Sequence, residues 1–118
     1  MAFISQSSGL TVSANTETTV YDAAANNSNG GAPANGAILI GLVAANIGSS
    51  NANVQIYIRA SAGVAGTDDI FIVKDAPIPV GSSLDALPGK VVLNFTDKIY
   101  MKTSVANTIQ VTASLLEN

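Results

Sequence analysis

The chain contains no cysteine, no histidine and no tryptophan among its 118 residues. Without cysteine there is no disulfide framework, no thiolate nucleophile and no Cys-ligated zinc, so stability rests on packing and backbone pairing. Without histidine the commonest general base and the commonest transition-metal ligand are missing. Charge is scarce too: 11% of residues are charged, with five bases against eight acids for a net charge of −3. That balance offers no electrostatic footprint for DNA or RNA. The longest apolar run, near residues 37–45, is interrupted by Gly41 and falls far short of the ~20 residues that a membrane-spanning helix needs, so no membrane partner is expected. Met1-Ala2-Phe3-Ile4-Ser5 has neither the basic n-region nor the long apolar h-region of a secretion signal, and the expectation is a soluble chain made without export.

What is present is aliphatic. Hydrophobic residues make up 47% of the chain and aromatics 5%, too apolar and too weakly charged for intrinsic disorder. The apolar period is two. Val54, Ile56, Ile58 and Ala60 face one way while Gln55, Tyr57 and Arg59 face the other, which predicts a strand with one wet face. Ile109, Val111, Ala113 and Leu115 alternate with Gln110, Thr112 and Ser114 in the same manner. Residues 70–73 and 91–95 are short β-rich runs bounded by polar or Gly/Pro punctuation. Residues 37–46 are apolar on both faces, as in a central strand covered from both sides.

The breaks are Gly48-Ser49-Ser50-Asn51, expected as a hairpin loop, a turn at residues 63–67, and a crossing stiffened by Pro77, Pro79 and Gly81. Residues 94–97 are expected to fold the run 91–95 back against 99–102, and the best helical candidate is a single turn at 82–87. Residues 23–36 form a low-complexity polar stretch expected to be a long flexible loop. About seven to eight strands at spacings near ten residues, with little or no helix, predict an all-β antiparallel β-sandwich of jelly-roll-like type. Residues 1–14 are expected as an N-terminal arm or first edge strand, and residues 15–118 as a single β-sandwich domain.

Chemistry has little foothold. Nearly every one of the acids (Glu17, Asp22, Asp68, Asp69, Asp75, Asp85, Asp97, Glu117) falls at a predicted strand end or turn, where solvated turn acids are the ordinary reading. A glycosidase pair would need two of them in one cleft. Asp68 and Asp69 offer oxygens for a calcium ion, with Asp75 or Asp97 nearby, but the alternating acidic loop with its Gly and closing Glu is missing. Ser82-Ser83 after Gly81 is no nucleophile elbow, and Asn29-Gly30-Gly31 lacks the Lys-Ser/Thr of a phosphate loop. Asn94-Phe95-Thr96 matches an N-glycosylation sequon, which without a secretion signal reads as chance. No catalytic residue, cofactor or metal site is assigned, and the chain is not expected to be an enzyme. Lys98 and Lys102 share a strand face with Tyr100, too little positive charge for a nucleic-acid groove; a lysine-protected edge strand is the expectation.

The order of segments is itself informative. A Thr-rich strand, Glu17-Thr18-Thr19-Val20-Tyr21, leads into Ile38-Leu39-Ile40-Gly41-Leu42-Val43-Ala44-Ala45-Asn46 and then Val54-Gln55-Ile56-Tyr57-Ile58. Ile72 to Leu84, Lys90-Val91-Val92-Leu93, Asp97 to Ser104 and Asn107 to Glu117 follow. Over roughly residues 15–117 this arrangement resembles the small all-β virion structural proteins of tailed bacteriophages, notably of cyanophages. The resemblance implies a non-enzymatic capsid decoration or cement protein, made in the host cytoplasm without a signal peptide and located in the virion. Head–tail connector, tail or fibre accessory subunit is the alternative within that class, and a carbohydrate-binding β-sandwich touching host glycans the alternative outside it. The implied partners are a major capsid protein or other virion proteins and further copies of the chain as a homo-oligomer, with no nucleic acid and no membrane. Uncharged Ser, Thr, Asn and Ala surfaces suit such contact, because they are cheaply desolvated where stranded charges are not. Expected contact residues are Phe3 and Ile4, with residues 1–8 as a strand added to a neighbour's sheet, Asn26, Asn27, Asn29 and Pro33 of the loop, and Tyr57, Arg59, Tyr100 and Lys102.

Overall fold

Wherever aliphatic and polar residues alternate, the backbone is extended. The computed structural model describes residues 4–10, 14–22, 37–60, 63–64, 66–87, 89–93 and 97–117, and among these every regular element is a strand. In chain order they are β1 (Ile4–Leu10), β2 (Thr18–Asp22), β3 (Ala37–Asn46), β4 (Ala52–Ala60), β5 (Ile70–Ile78), β6 (Ser83–Asp85), β7 (Val91–Leu93), β8 (Asp97–Thr103) and β9 (Ile109–Glu117). They form two antiparallel sheets. One runs β1-β9-β3-β6 with β7 also on β3; the other runs β2-β8-β4-β5. They are called here the β3 sheet and the β4 sheet. β6 pairs with Val43–Ala45 and β7 with Ala37–Leu39, so the two together form one broken edge strand beside β3. Eight strand positions in two sheets, with the chain crossing between sheets at every described step except β4–β5 and β6–β7, are the jelly-roll arrangement of the β-sandwich.

The core lies between the sheets. Leu39, Leu42 and Ala44 of β3 and Val111, Ala113 and Leu115 of β9 are fully buried from one side. Val54 and Ile56 of β4 with Ile99 and Met101 of β8 meet them from the other. The crossing loops at one end are knit by hydrogen bonds: Asn15 N–H to Thr103 O (2.7 Å), Ile47 N–H to Thr108 O (2.8 Å), Asn46 N–H to Ser82 O (2.9 Å) and Ser104 N–H to Asn53 O (3.0 Å). The buried Asn46 side chain donates to Ile78 O and Ser50 O, both at 2.9 Å, and accepts from Gly48 N–H at 3.0 Å. A buried amide satisfied in this way fixes where β3 ends. The crossing at residues 79–82 is a turn closed by Ser82 N–H to Pro79 O at 3.0 Å, with Gly81 at φ 78, the left-handed position a type II turn reserves for glycine.

The topology corrects several local expectations. β3 and β4 are not a hairpin: each already has both edges filled, β3 by β9 and β6/β7, β4 by β8 and β5, so residues 47–51 cross between sheets. For the same reason β7 does not fold back on β8; the two lie in opposite sheets. Residues 83–85 are strand β6 rather than a helical turn, because β3 offers them a free ladder edge. β8 is an interior strand between β2 and β4, not a lysine-protected edge. Residues 1–3 and 23–36 lie outside the described residues. Of residues 1–8, expected to be lent to a neighbour, the described part, residues 4–8, pairs within the chain, as part of β1 along its own β9 from Ile4↔Leu116 to Leu10↔Gln110.

Candidate interaction surfaces

On the outer face of the β4 sheet the register aligns Thr19, Tyr100, Tyr57 and Phe71 across all four strands. Tyr57 stacks on Tyr100 with ring centroids 5.7 Å apart and meets Phe71 at 5.2 Å. Arg59, two residues beyond Tyr57 on the same face, lays its guanidinium 4.4 Å from the Tyr100 ring centroid. Its Nη2 pairs with Glu17 Oε2 and its Nη1 with Asp69 Oδ1, both at 2.7 Å, and the Arg59 side chain is only 7% exposed. The Tyr57 hydroxyl donates to Glu17 Oε1 at 2.6 Å. One arginine therefore ties the segment before β2 to the β4–β5 loop across the sheet.

Burial alone would raise the Glu17 carboxyl; hydrogen bonds from Arg59 and Tyr57, with the arginine charge, outweigh it and hold the group below its ordinary value. Burial, and then the bond to Glu17, push the Tyr57 phenol up, while the Glu17 bond raises the Arg59 guanidinium against its own desolvation. These charges are spent on each other.

The β4–β5 loop is built around the same arginine. Asp68 Oδ2 accepts from Val64 N–H at 2.7 Å and Asp69 Oδ2 from Gly66 N–H at 3.1 Å, so the two carboxylates weighed as oxygens for calcium cap their own turn. No group of three or more acidic side chains placed to hold a metal ion occurs among the described residues. A Cβ on Gly63 would come within 2.8 Å of Arg59 Cγ, so only glycine lets the loop close on the arginine. A small recess of about 40 Å³ lined by Asn15, Asn53, Gln55, Asp75, Lys102, Thr103 and Ser104 lies beside the cluster. That is room for a few waters, against the ~300 Å³ or more of a typical small-molecule pocket.

The structure brings four of the expected contact residues, Tyr57, Arg59, Tyr100 and Lys102, onto this one face. The alternation placed Tyr57 and Arg59 on the outer side correctly, yet both are buried, because Glu17, Asp69 and the neighbouring rings close over them. Tyr100 and Lys102 remain partly exposed. Tyr21 is fully buried in the core, so of the three tyrosines none presents the open ring face that a sugar platform needs. Phe3, Asn26, Asn27, Asn29 and Pro33 lie outside the described residues, and Ile4 is described only by its pairing with Leu116.

The outer face of the β3 sheet was not among the expected contacts. Past a bulge between Leu39 and Gly41, Ile38, Ile40, Val43, Ala45 and Ile47 all project from the side opposite buried Leu39, Leu42, Ala44 and Asn46. Val43 is 42% exposed and Ile47 56%; Val92, opposite Ile38 on β7, is 71% exposed. β9 flanks this stripe with Gln110, Thr112 and Ser114, and β6 with Ser83 and Asp85. The signal lay in the double-faced apolarity of residues 37–46. Only one of those two faces is covered by the core.

No protein-family model matches the chain, and no curated protein matches it. Among solved structures it is similar to a chain of the acid-stable capsid of Helicobacter pylori bacteriophage KHP30, at 8% identity over 99% of this chain and 89% of that one, with a TM-score of 0.59. It is also similar to a chain of the disulfide-linked pili of Bacillus endospore appendages, at 17% identity over 100% of this chain and 90% of that one, with a TM-score of 0.50. A chain of the cyanophage Pam1 capsid aligns at 13% identity over 96% of this chain and 84% of that one with a TM-score of 0.37, too loose a match to argue from. At these identities the likeness is one of fold. The class it defines is the jelly-roll β-sandwich.

Proposed function

We propose that this chain is a non-enzymatic structural subunit of a virus particle, and within that class a capsid decoration or cement protein that binds a major capsid protein. The observation that carries the reading is the aliphatic, charge-poor outer face of the β3 sheet, on a fold shared along nearly its whole length with a phage capsid chain. Such a face loses water at little cost, and a subunit that offers it adds buried area where larger subunits meet. The conspicuous ionisable groups, Glu17, Arg59 and Asp69, are neutralised internally rather than poised for reaction. Adding purified protein to expanded particles that lack it tests this reading: saturable binding is expected, and its absence overturns a capsid role.

A second reading, an extracellular fibre subunit, is favoured by the likeness to the endospore pilus chain. The absence of cysteine denies this chain the disulfide links of those pili. Electron microscopy of the concentrated protein separates the two, filaments supporting the fibre.

A further inference from the structure

We infer that the β3 sheet is a self-association surface, two copies packing back to back through the stripe Ile38, Ile40, Val43, Ala45 and Ile47. The inference rests on the assembly reading above only in treating this face as one that becomes covered, and it commits to a second copy of this chain, in place of a capsid protein, as the cover.

Charge placement selects that partner. Four of the five bases lie in β4, β5 and β8 (Arg59, Lys74, Lys98, Lys102), and six of the eight acids lie in the β4 sheet, its β4–β5 loop or the segment entering β2. The β3 sheet strands carry only Asp85 and Glu117, and Asp85 sits on the edge strand β6. Asp85, opposite Val43 on β6, is the one charge among the described residues that flank the stripe. An acidic partner would find no counter-charge here, whereas a second copy brings an equally aliphatic stripe with its own Asp85 at the margin. The two sheets of a sandwich lie ~10 Å apart. Back-to-back packing therefore holds the two charged β4 sheets ~30 Å from one another, well beyond the ~8 Å screening length at physiological salt.

Size sets the strength. Residues 38–47 extend ~30 Å at ~3.3 Å per residue, and β9, β3 and the β6/β7 edge together span ~15 Å. Each copy thus covers about 450 Å² in flat projection, about 900 Å² for the pair, close to the ~1,000 Å² at which specific interfaces begin. The expected product is a weak two-fold dimer whose sheets cross at ~30°. Val43 is near the middle of the stripe, so the two-fold axis brings it close to its own mate.

Sedimentation velocity of the full chain at rising concentration is the test. Dimer is expected to accumulate; Val43→Lys should raise its dissociation constant at least tenfold, and Val64→Lys, on the exposed β4–β5 loop, should leave it unchanged. Because the chain has no cysteine, Val43→Cys should yield a disulfide-linked dimer on mild oxidation and Val64→Cys should not. A monomer at every concentration, or equal weakening by Val43→Lys and Val64→Lys, overturns the inference. If the monomer binds particles and Val43→Lys abolishes that binding, the face belongs to another particle protein: self-pairing fails and the proposed function stands. A dimer that ignores particles supports the inference and sinks the function.

Discussion

The two outer faces of this sandwich solve opposite problems. The β4 sheet carries arginine, lysines and aromatic rings, and its centre closes over itself: Arg59 is held between Glu17 and Asp69 and roofed by Tyr100, while Ile70 and Phe71 stay exposed on the edge strand β5. The β3 sheet carries Ile38, Ile40, Val43 and Ile47 and leaves them facing outward. Polar side chains can satisfy one another within a single chain. Aliphatic ones on a flat strand can be covered only by something laid on top. The charged face is thereby the finished one, and the apolar face is the one left to a partner, the reverse of what a hydropathy profile suggests.

Breaking the closed face should have the largest effect. Arg59→Ala leaves the mostly buried Asp69 carboxylate without its cation and removes the guanidinium from Tyr100, an expected loss of about 3 kcal/mol. For a chain of this size that lowers the melting temperature by about 10 °C or more, read by calorimetry or urea denaturation. Arg59→Lys keeps the charge but reaches only one of the two acids, so about half that loss is expected. If Arg59→Ala costs no more than Val64→Lys, the face is not closed by this arginine.

A smaller effect concerns acid. The folded Glu17 carboxyl lies below its ordinary value of 4.5, so its contribution is complete above that value and is lost as pH falls through the folded one. Stability should decline below about pH 4.5, and Glu17→Gln should flatten that part of the profile. Tyr57 gives the opposite sign. Its phenol is raised above 10, so its contribution is intact below pH 10 and is lost in stronger alkali, a slope that Tyr57→Phe should remove. Urea midpoints measured across pH check both; an unchanged acid limb in Glu17→Gln would mean that the Arg59–Glu17 pair carries no weight in solution.

How far such features can be read from sequence depends on what period two encodes. It gives the side of a strand on which a residue stands, and this was enough to place Tyr57, Arg59 and Gln55 outside and Val54, Ile56 and Ile58 inside, and to identify an antiparallel β-sandwich. It does not name the neighbouring strand. The hairpin expected at residues 48–51 and the fold-back expected after residue 93 both assumed that consecutive strands pair, whereas the jelly roll sends them to opposite sheets. Nor does it report coverage: Glu17 stands 42 positions from Arg59, and nothing local to β4 announces that it arrives there. β6, three residues long, is too short to show any period, and it exists because β3 has an edge to fill.

The smallest expected effect is on the open face, and it is the most discriminating. Val43→Lys introduces a charge on a side chain already 42% exposed, with Thr112 of β9 and Asp85 of β6 as its register neighbours. The long lysine stem can lie along the aliphatic stripe while its ammonium stays in water. Stability of the dilute, unassociated chain should therefore change by less than about 0.5 kcal/mol, no more than about a sixth of the loss expected for Arg59→Ala. A large loss in dilute solution would show that the stripe is already buried within the lone molecule. The contrast between a finished and an unfinished face would then fail at its second half, whatever Arg59→Ala had shown about the first.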